Sequence, residues 1–224
     1  MSLVHYLPIL TTVLSAAFAA SLYRRWAVKR SPHLAWWAFG ITTYGLGTAL
    51  ESAITLTGNT VFLTKAWYIA GALLGGYPLA TGSLFLSWRR SSAMRLTIAS
   101  GAFVIVASAL VVLSPVDLSS LEPHRPSGAI LEWRWVRLLT PVINLYAVYF
   151  LIGGAVVSAW RHYRQRGHLY RAWGNGLIAF GALLPGIGGS FAKAGVVEAL
   201  YVGECVGLIL IWIGDRVCAR ETGR

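Results

Sequence analysis

Charged residues punctuate this chain at long intervals, and the stretches between them set the first expectation. Uncharged runs cover 1–23, 31–50, 66–88, 96–116, 138–160 and 172–192, each closed by a charged residue such as Arg24, Glu51 or Arg89. All hold at least 20 residues, enough for a helix rising about 1.5 Å per residue to cross a hydrocarbon core of about 30 Å. A seventh stretch, Glu198 to Asp215, is interrupted by Glu204 alone. Backbone in lipid must bond to itself, and runs this long do so as helices rather than as barrel strands of about ten residues. The pattern predicts an all-α integral membrane protein. Its single domain, 1–224, holds seven transmembrane helices near 3–23, 33–55, 64–88, 95–115, 138–160, 171–192 and 196–215.

Composition agrees. Mean hydropathy is +0.62, and hydrophobic residues make up 56% of the chain against 12% charged. That charged share is about half that of a soluble domain, too little to cover a soluble surface, and the apolar content excludes disorder. The net charge of +11 first suggests nucleic acid, but its distribution argues otherwise. Fourteen Lys and Arg residues fall on one side of the predicted helices, in 24–30, 89–95, 161–171 and 216–224, and five on the other: Lys65, Arg125, Arg134, Arg137 and Lys193. The positive-inside bias then puts the N-terminus outside and the C-terminus in the cytoplasm. The positive charge is topogenic and meets anionic lipid headgroups, so membrane lipids are expected partners and nucleic acid is not. The expected location is a cell membrane, a bacterial inner membrane.

Ala17-Phe18-Ala19 has the form of a signal-peptidase site. No Lys or Arg precedes its apolar stretch, whereas Arg24, Arg25, Lys29 and Arg30 follow it, so the segment reads as a retained helix. Trp26, Trp88, Trp133, Trp135 and Trp160 fall near predicted helix ends, as interfacial aromatics do. Gly71-x-x-x-Gly75 and Gly203-x-x-x-Gly207 permit close helix approach, inside one bundle or between copies in a homo-oligomer. Pro8 and Pro141, Trp37 and Trp173, and the two Gly-x-x-x-Gly motifs match at nearly constant offset. These matches suggest a 3+1+3 plan of parallel pseudo-repeats around an odd fourth helix. Pro185, beside Gly186, is expected to kink the sixth helix.

Ionisable groups at membrane depth are the main functional clue. Glu204 is expected near the bilayer midplane, about 12 Å into the last helix. Glu198, Tyr201 and Glu204 share one face of it, and Tyr44, Thr48, Glu51 and Thr55 form a polar stripe on the second helix. Lys65 and Tyr68 open the third helix, and Asn144 lies in the outer half of the fifth. The expected ligand site is an outward-facing pocket built from Glu51, Lys65, Tyr68, Asn144, Glu198, Tyr201 and Glu204. A structural cluster in which Lys65 or a hydroxyl satisfies a carboxylate is the alternative.

Catalytic patterns are missing from the sequence. The five histidines lie near helix ends or in loops, no pair can hold a haem in the membrane, and neither His-Glu-x-x-His nor Gly-x-Ser-x-Gly occurs. Asp117, Glu122, His124 and Glu132 share a long loop without metal-site spacing. Cys205 and Cys218 are 13 residues apart along one helix, roughly 20 Å, too far to bond within it. An enzyme is not expected.

Val206-Gly207-Leu208-Ile209-Leu210 is similar to the last-helix segment of microbial rhodopsins, but the last helix carries no lysine for a retinal Schiff base. The basic segment from Arg24-Arg25 to Arg30, Trp36-Trp37 and Glu51 resemble the start of the seven-helix sensor regions of bacterial histidine kinases. That resemblance covers the first three helices and implies a receptor. With nine residues after Asp215, the signal is expected to be read by a separate protein partner at the cytoplasmic basic loops. Three functions follow: a non-enzymatic receptor or small-ligand-binding bundle, a small-solute or ion transporter or channel, and an accessory subunit of a larger membrane complex. The cofactor stays unspecified: lipid or carotenoid would suit the aromatic surface without leaving a motif.

Overall fold

The computed structural model describes residues 3–165 and 169–220. Arg166 and Arg224, which enter the count of basic residues, and His168, one of the five histidines, lie outside the described residues. The fold is all-α, and an isolated bridge between Val116 and Leu131 is the extent of β pairing among the described residues. Helix α1 spans Leu7–Lys29 after a 3₁₀ turn at Leu3–Tyr6, and α2 spans Pro32–Thr57. A single rod then contains α3 (Val61–Trp67), a π-helical segment (Tyr68–Leu73) and α4 (Tyr77–Ser87). Helix α5 is Arg90–Leu113. After the long loop come α6 (Leu139–Ala147), a second π segment (Val148–Gly153) and α7 (Gly154–Arg164), then α8 (Leu169–Lys193) and α9 (Glu198–Arg220).

These pieces make seven helical rods. Five contain spans long and apolar enough to cross a membrane: Val4–Lys29, Val61–Ser87, Arg90–Leu113, Arg134–Arg164 and Leu169–Ala192. The protein is therefore membrane-embedded. The other two rods, α2 and α9, carry acids inside the helix, Glu51 in α2 and Glu204 and Asp215 in α9. Half of α2 is buried against the protein, including Thr43, Thr48, Glu51, Ser52 and Thr55, so it has less need of a lipid-facing surface. Helix α5 is the opposite case, the most apolar span and one of the least buried.

Local chemistry accounts for the breaks. Arg30 adopts the left-handed conformation (φ 49°) and donates its N–H to the Trp26 carbonyl, closing α1. Ser31 and Pro32 then start α2, with proline where no helical N–H is needed. In the third rod, Leu74 N–H reaches back five residues to the Ile69 carbonyl at 2.9 Å, a π-type bond. The helix restarts at Tyr77-Pro78, so Gly75-Gly76 is a helix junction.

The closest helix pair is α8 with α9. A Cβ on Gly207 would stand 2.5 Å from the Gly181 carbonyl oxygen, and one on Gly214 equally close to that of Gly174. Only glycine admits this approach. Pro185 lies within α8 and offers no N–H to Gly181 four residues earlier. The carbonyl so released is the one that faces Gly207. The Gly203-x-x-x-Gly207 motif thus packs inside the bundle, and Gly71 likewise meets Gly47 of α2. Trp37 and Trp173, which the repeat offset equates, differ in surroundings: Trp37 is buried and Trp173 exposed.

The bundle has two ends. One carries the loop 114–138, and the other carries the last turns of α1, α7 and α9 and the start of α5, with their basic residues.

Candidate functional site

The polar stripe of α2 faces three neighbours in turn. Tyr44 donates its hydroxyl to the Glu204 carbonyl of α9 at 2.9 Å, and Thr48 is hydrogen-bonded to Thr12 of α1 at 2.9 Å. Glu51, 2% exposed, accepts the Trp67 indole N–H on Oε1 at 2.7 Å. The Glu51 and Glu204 side chains interact directly with one another. The Oε2 atom of each is sealed from solvent with no donor directed at it.

Both acids lie six residues from the loop end of their helices, since α2 ends at Thr57 and α9 begins at Glu198. That is about 9 Å from the helix ends, against the expected distance of about 12 Å for Glu204. Tyr201, one turn from Glu204, is 2% exposed and within electrostatic range of Glu51, Glu204, Glu198 and Arg125. Among the described residues the ion pairs join Arg25 to Asp215 and Glu122 to Arg125, so neither Glu51 nor the half-buried Glu204 has one.

The other expected site residues point elsewhere. Lys65 donates to the carbonyls of Val112 and Ser114 at 2.8 and 2.7 Å, where α5 ends and its last carbonyls lack helical donors. Tyr68 is hydrogen-bonded to Thr140 at 2.7 Å. Successive helical residues are about 100° apart around the axis, so Trp67 faces α2 while Tyr68 faces the start of α6. Asn144 is exposed on α6, and Glu198 is half-buried at the start of α9. The structure therefore brings Glu51, Glu204 and Tyr201 together, leaves Glu198 at the margin, and separates Lys65, Tyr68 and Asn144 from them. Trp67 is the site residue that sequence reasoning missed.

The loop 114–138 covers this end. Asn59 donates to the carbonyls of Glu122 and Arg125 at 2.9 and 3.0 Å, and Arg125 donates to the Ala192 carbonyl at 3.1 Å. Between loop and helices lies a recess of ≈ 290 Å³ whose lining includes His5, Glu122, His124, Arg125 and Tyr201. Away from it, Asp117 accepts hydrogen bonds from the Ser119 N–H and from the hydroxyls of Ser119 and Ser120. These donors hold its carboxyl below the ordinary aspartate range.

Chemically, the Glu51–Glu204 pair offers carboxyl oxygens with no cation partner among the described residues, and Tyr201, one turn from Glu204, also lines the recess. Comparison of the chain with protein-family models, curated proteins and solved structures returns no match.

Proposed function

We propose that this protein is a non-enzymatic membrane receptor, a ligand-binding bundle whose binding centre is the Glu51–Glu204 pair and whose ligand carries positive charge. One observation carries the reading: the buried Glu51 interacts with the half-buried Glu204, the Oε2 atom of each is sealed from solvent, and among the described residues neither has a cation partner. Two like charges in a low-dielectric site repel, and neutrality asks for a cation between them or a shared proton. Seven transmembrane helices belong to this proposal, with the N-terminus outside, the C-terminus in the cytoplasm of a bacterial inner membrane, and the 3+1+3 arrangement. The pair then opens outward, and the basic loops face a cytoplasmic protein partner that reads the signal.

The test has two parts. An alkaline-phosphatase reporter inserted near Ser119 should be active and one fused after Arg224 inactive; the reverse overturns the orientation. In lipid nanodiscs, one of sodium, potassium, ammonium and small primary amines should raise the melting temperature of the native chain but not of Glu204→Gln. Equal stabilisation of both would remove the pair as the binding centre.

A transporter is the second reading, favoured by the discontinuous third rod, whose π segment begins directly after Trp67. Discontinuous helices commonly build transport sites. Flux of the stabilising cation into liposomes, lost in Glu204→Gln, would select it; binding without flux selects the receptor.

A further inference from the structure

The recess and the acid pair both border on Tyr201, and they differ in chemistry. The pair supplies two carboxyl groups, with the Glu51 side chain buried and its Oε2 unpartnered. The recess is lined by one guanidinium and two imidazoles, from Arg125, His5 and His124, against the carboxylate of Glu122. Glu122 is half exposed and 3.8 Å from Arg125, a loose pair that water and salt screen. Arg125 has five N–H donors in a planar fork suited to a carboxylate. One of its terminal nitrogens donates to Ala192, which fixes the group over the end of α8.

Tyr201 belongs to both. It lines the recess, feels Arg125 as well as Glu51 and Glu204, and is met edge-on by the His5 ring at 6.0 Å between centroids. The recess of ≈ 290 Å³ has room for about ten heavy atoms, at about 30 Å³ each by comparison with liquid water. We propose that recess and acid pair together form one bipolar site for a small zwitterion, its ammonium directed to Glu51 and Glu204 and its carboxylate to Arg125 and His124. Tyr201 is the partition that rotates to let one molecule reach both. This rests on the reading of the acid pair as the binding centre and adds the carboxylate-binding wall that a plain cation site does not need.

The experiment uses the full chain in lipid nanodiscs. The probes are the twenty L-amino acids and glycine betaine. Any that bind are compared with the matching amine, lacking the carboxylate, and the matching acid, lacking the amine. The expected result is a zwitterion that binds at least about tenfold more tightly than either half, the ratio of one well-formed charged contact. Arg125→Gln should lower zwitterion affinity to that of the amine and leave amine binding unchanged; Glu204→Gln should abolish both. If amines bind as tightly as zwitterions and are indifferent to Arg125→Gln, the bipolar site is overturned and the acid pair stands as a cation site. If neither zwitterions nor amines bind, both readings fall. Should Arg125→Gln not fold, the zwitterion-to-amine ratio in the native chain decides alone.

Discussion

Beyond Glu198 at its start, helix α9 carries two acids eleven residues apart whose surroundings differ. Near the basic end, Asp215 is ion-paired with Arg25 of α1. Towards the loop end, Glu204 meets Glu51, a second acid. The first pair joins α1 to α9 and neutralises itself. The second brings like charges together, a contact that favours the fold only when something neutralises it. Burial of an acid in a membrane protein thus has two meanings, and the partner distinguishes them. Asp215 ties α1 to α9, whereas Glu204 is the acid on which the proposed binding site rests.

The comparison can be broken at either acid, and the larger stability effect should come from the paired one. Asp215→Ala leaves Arg25 without its counter-charge. Breaking a buried pair from one side costs about 3–5 kcal/mol; Arg25 keeps 24% of its side-chain surface exposed, which places the expected loss nearer ~2 kcal/mol. Denaturant titration in mild detergent measures it, and the double variant Arg25→Met, Asp215→Leu should recover most of the loss. A stability loss in Glu204→Gln equal to that in Asp215→Ala would erase the distinction.

At the unpaired acid the expected stability change is smaller and the functional change larger. Glu204→Gln keeps the shape and removes one of two like charges, so stability should change by less than about 1 kcal/mol while cation-dependent stabilisation disappears. Glu51→Ala differs, because the Trp67 indole N–H loses its acceptor, at a cost of about 1–3 kcal/mol. Adding Trp67→Phe to Glu51→Ala should restore part of that loss, since the orphaned donor is then gone.

How much of this was legible in the sequence follows from the same contrast. Charge is excluded from lipid along the chain, so the gaps between charged residues locate the seven rods: α2 at Pro32–Thr57 and α8 at Leu169–Lys193 lie within about two residues of their expected bounds. Rotation about a helix axis is less visible. Lys65, Trp67 and Tyr68 are neighbours in sequence, yet face α5, α2 and α6. A depth argument that groups Lys65, Tyr68 and Asn144 with Glu204 therefore fails to separate them. Arg25, read as one topogenic charge among four, is the partner of Asp215. The π segments leave little trace beyond Gly75-Gly76, because one extra residue in a helical turn changes the hydrogen-bond register without requiring a different composition.

A third acid sharpens the comparison with the smallest expected effect. Asp117 sits in the loop rather than in a helix, and neither a cation nor another acid holds it; three donors from Ser119 and Ser120 do. Those donors favour the charged carboxylate and keep its pKa below the ordinary value. A carboxyl whose pKa is depressed on folding contributes order that is fully present above its unfolded pKa and is lost as the pH falls through the folded one. The 117–120 turn should therefore keep its amide protection at neutral pH and lose it only below the ordinary aspartate range, while α9 stays protected throughout. Asp117→Asn keeps one acceptor oxygen but not the charge, so protection at Ser119 should already be reduced at neutral pH and should no longer respond to acid. Hydrogen exchange read at Ser119 and Ser120 measures both. An acid response that persists in Asp117→Asn would assign it to another group of the loop, Glu122 or Glu132, and take Asp117 out of the series.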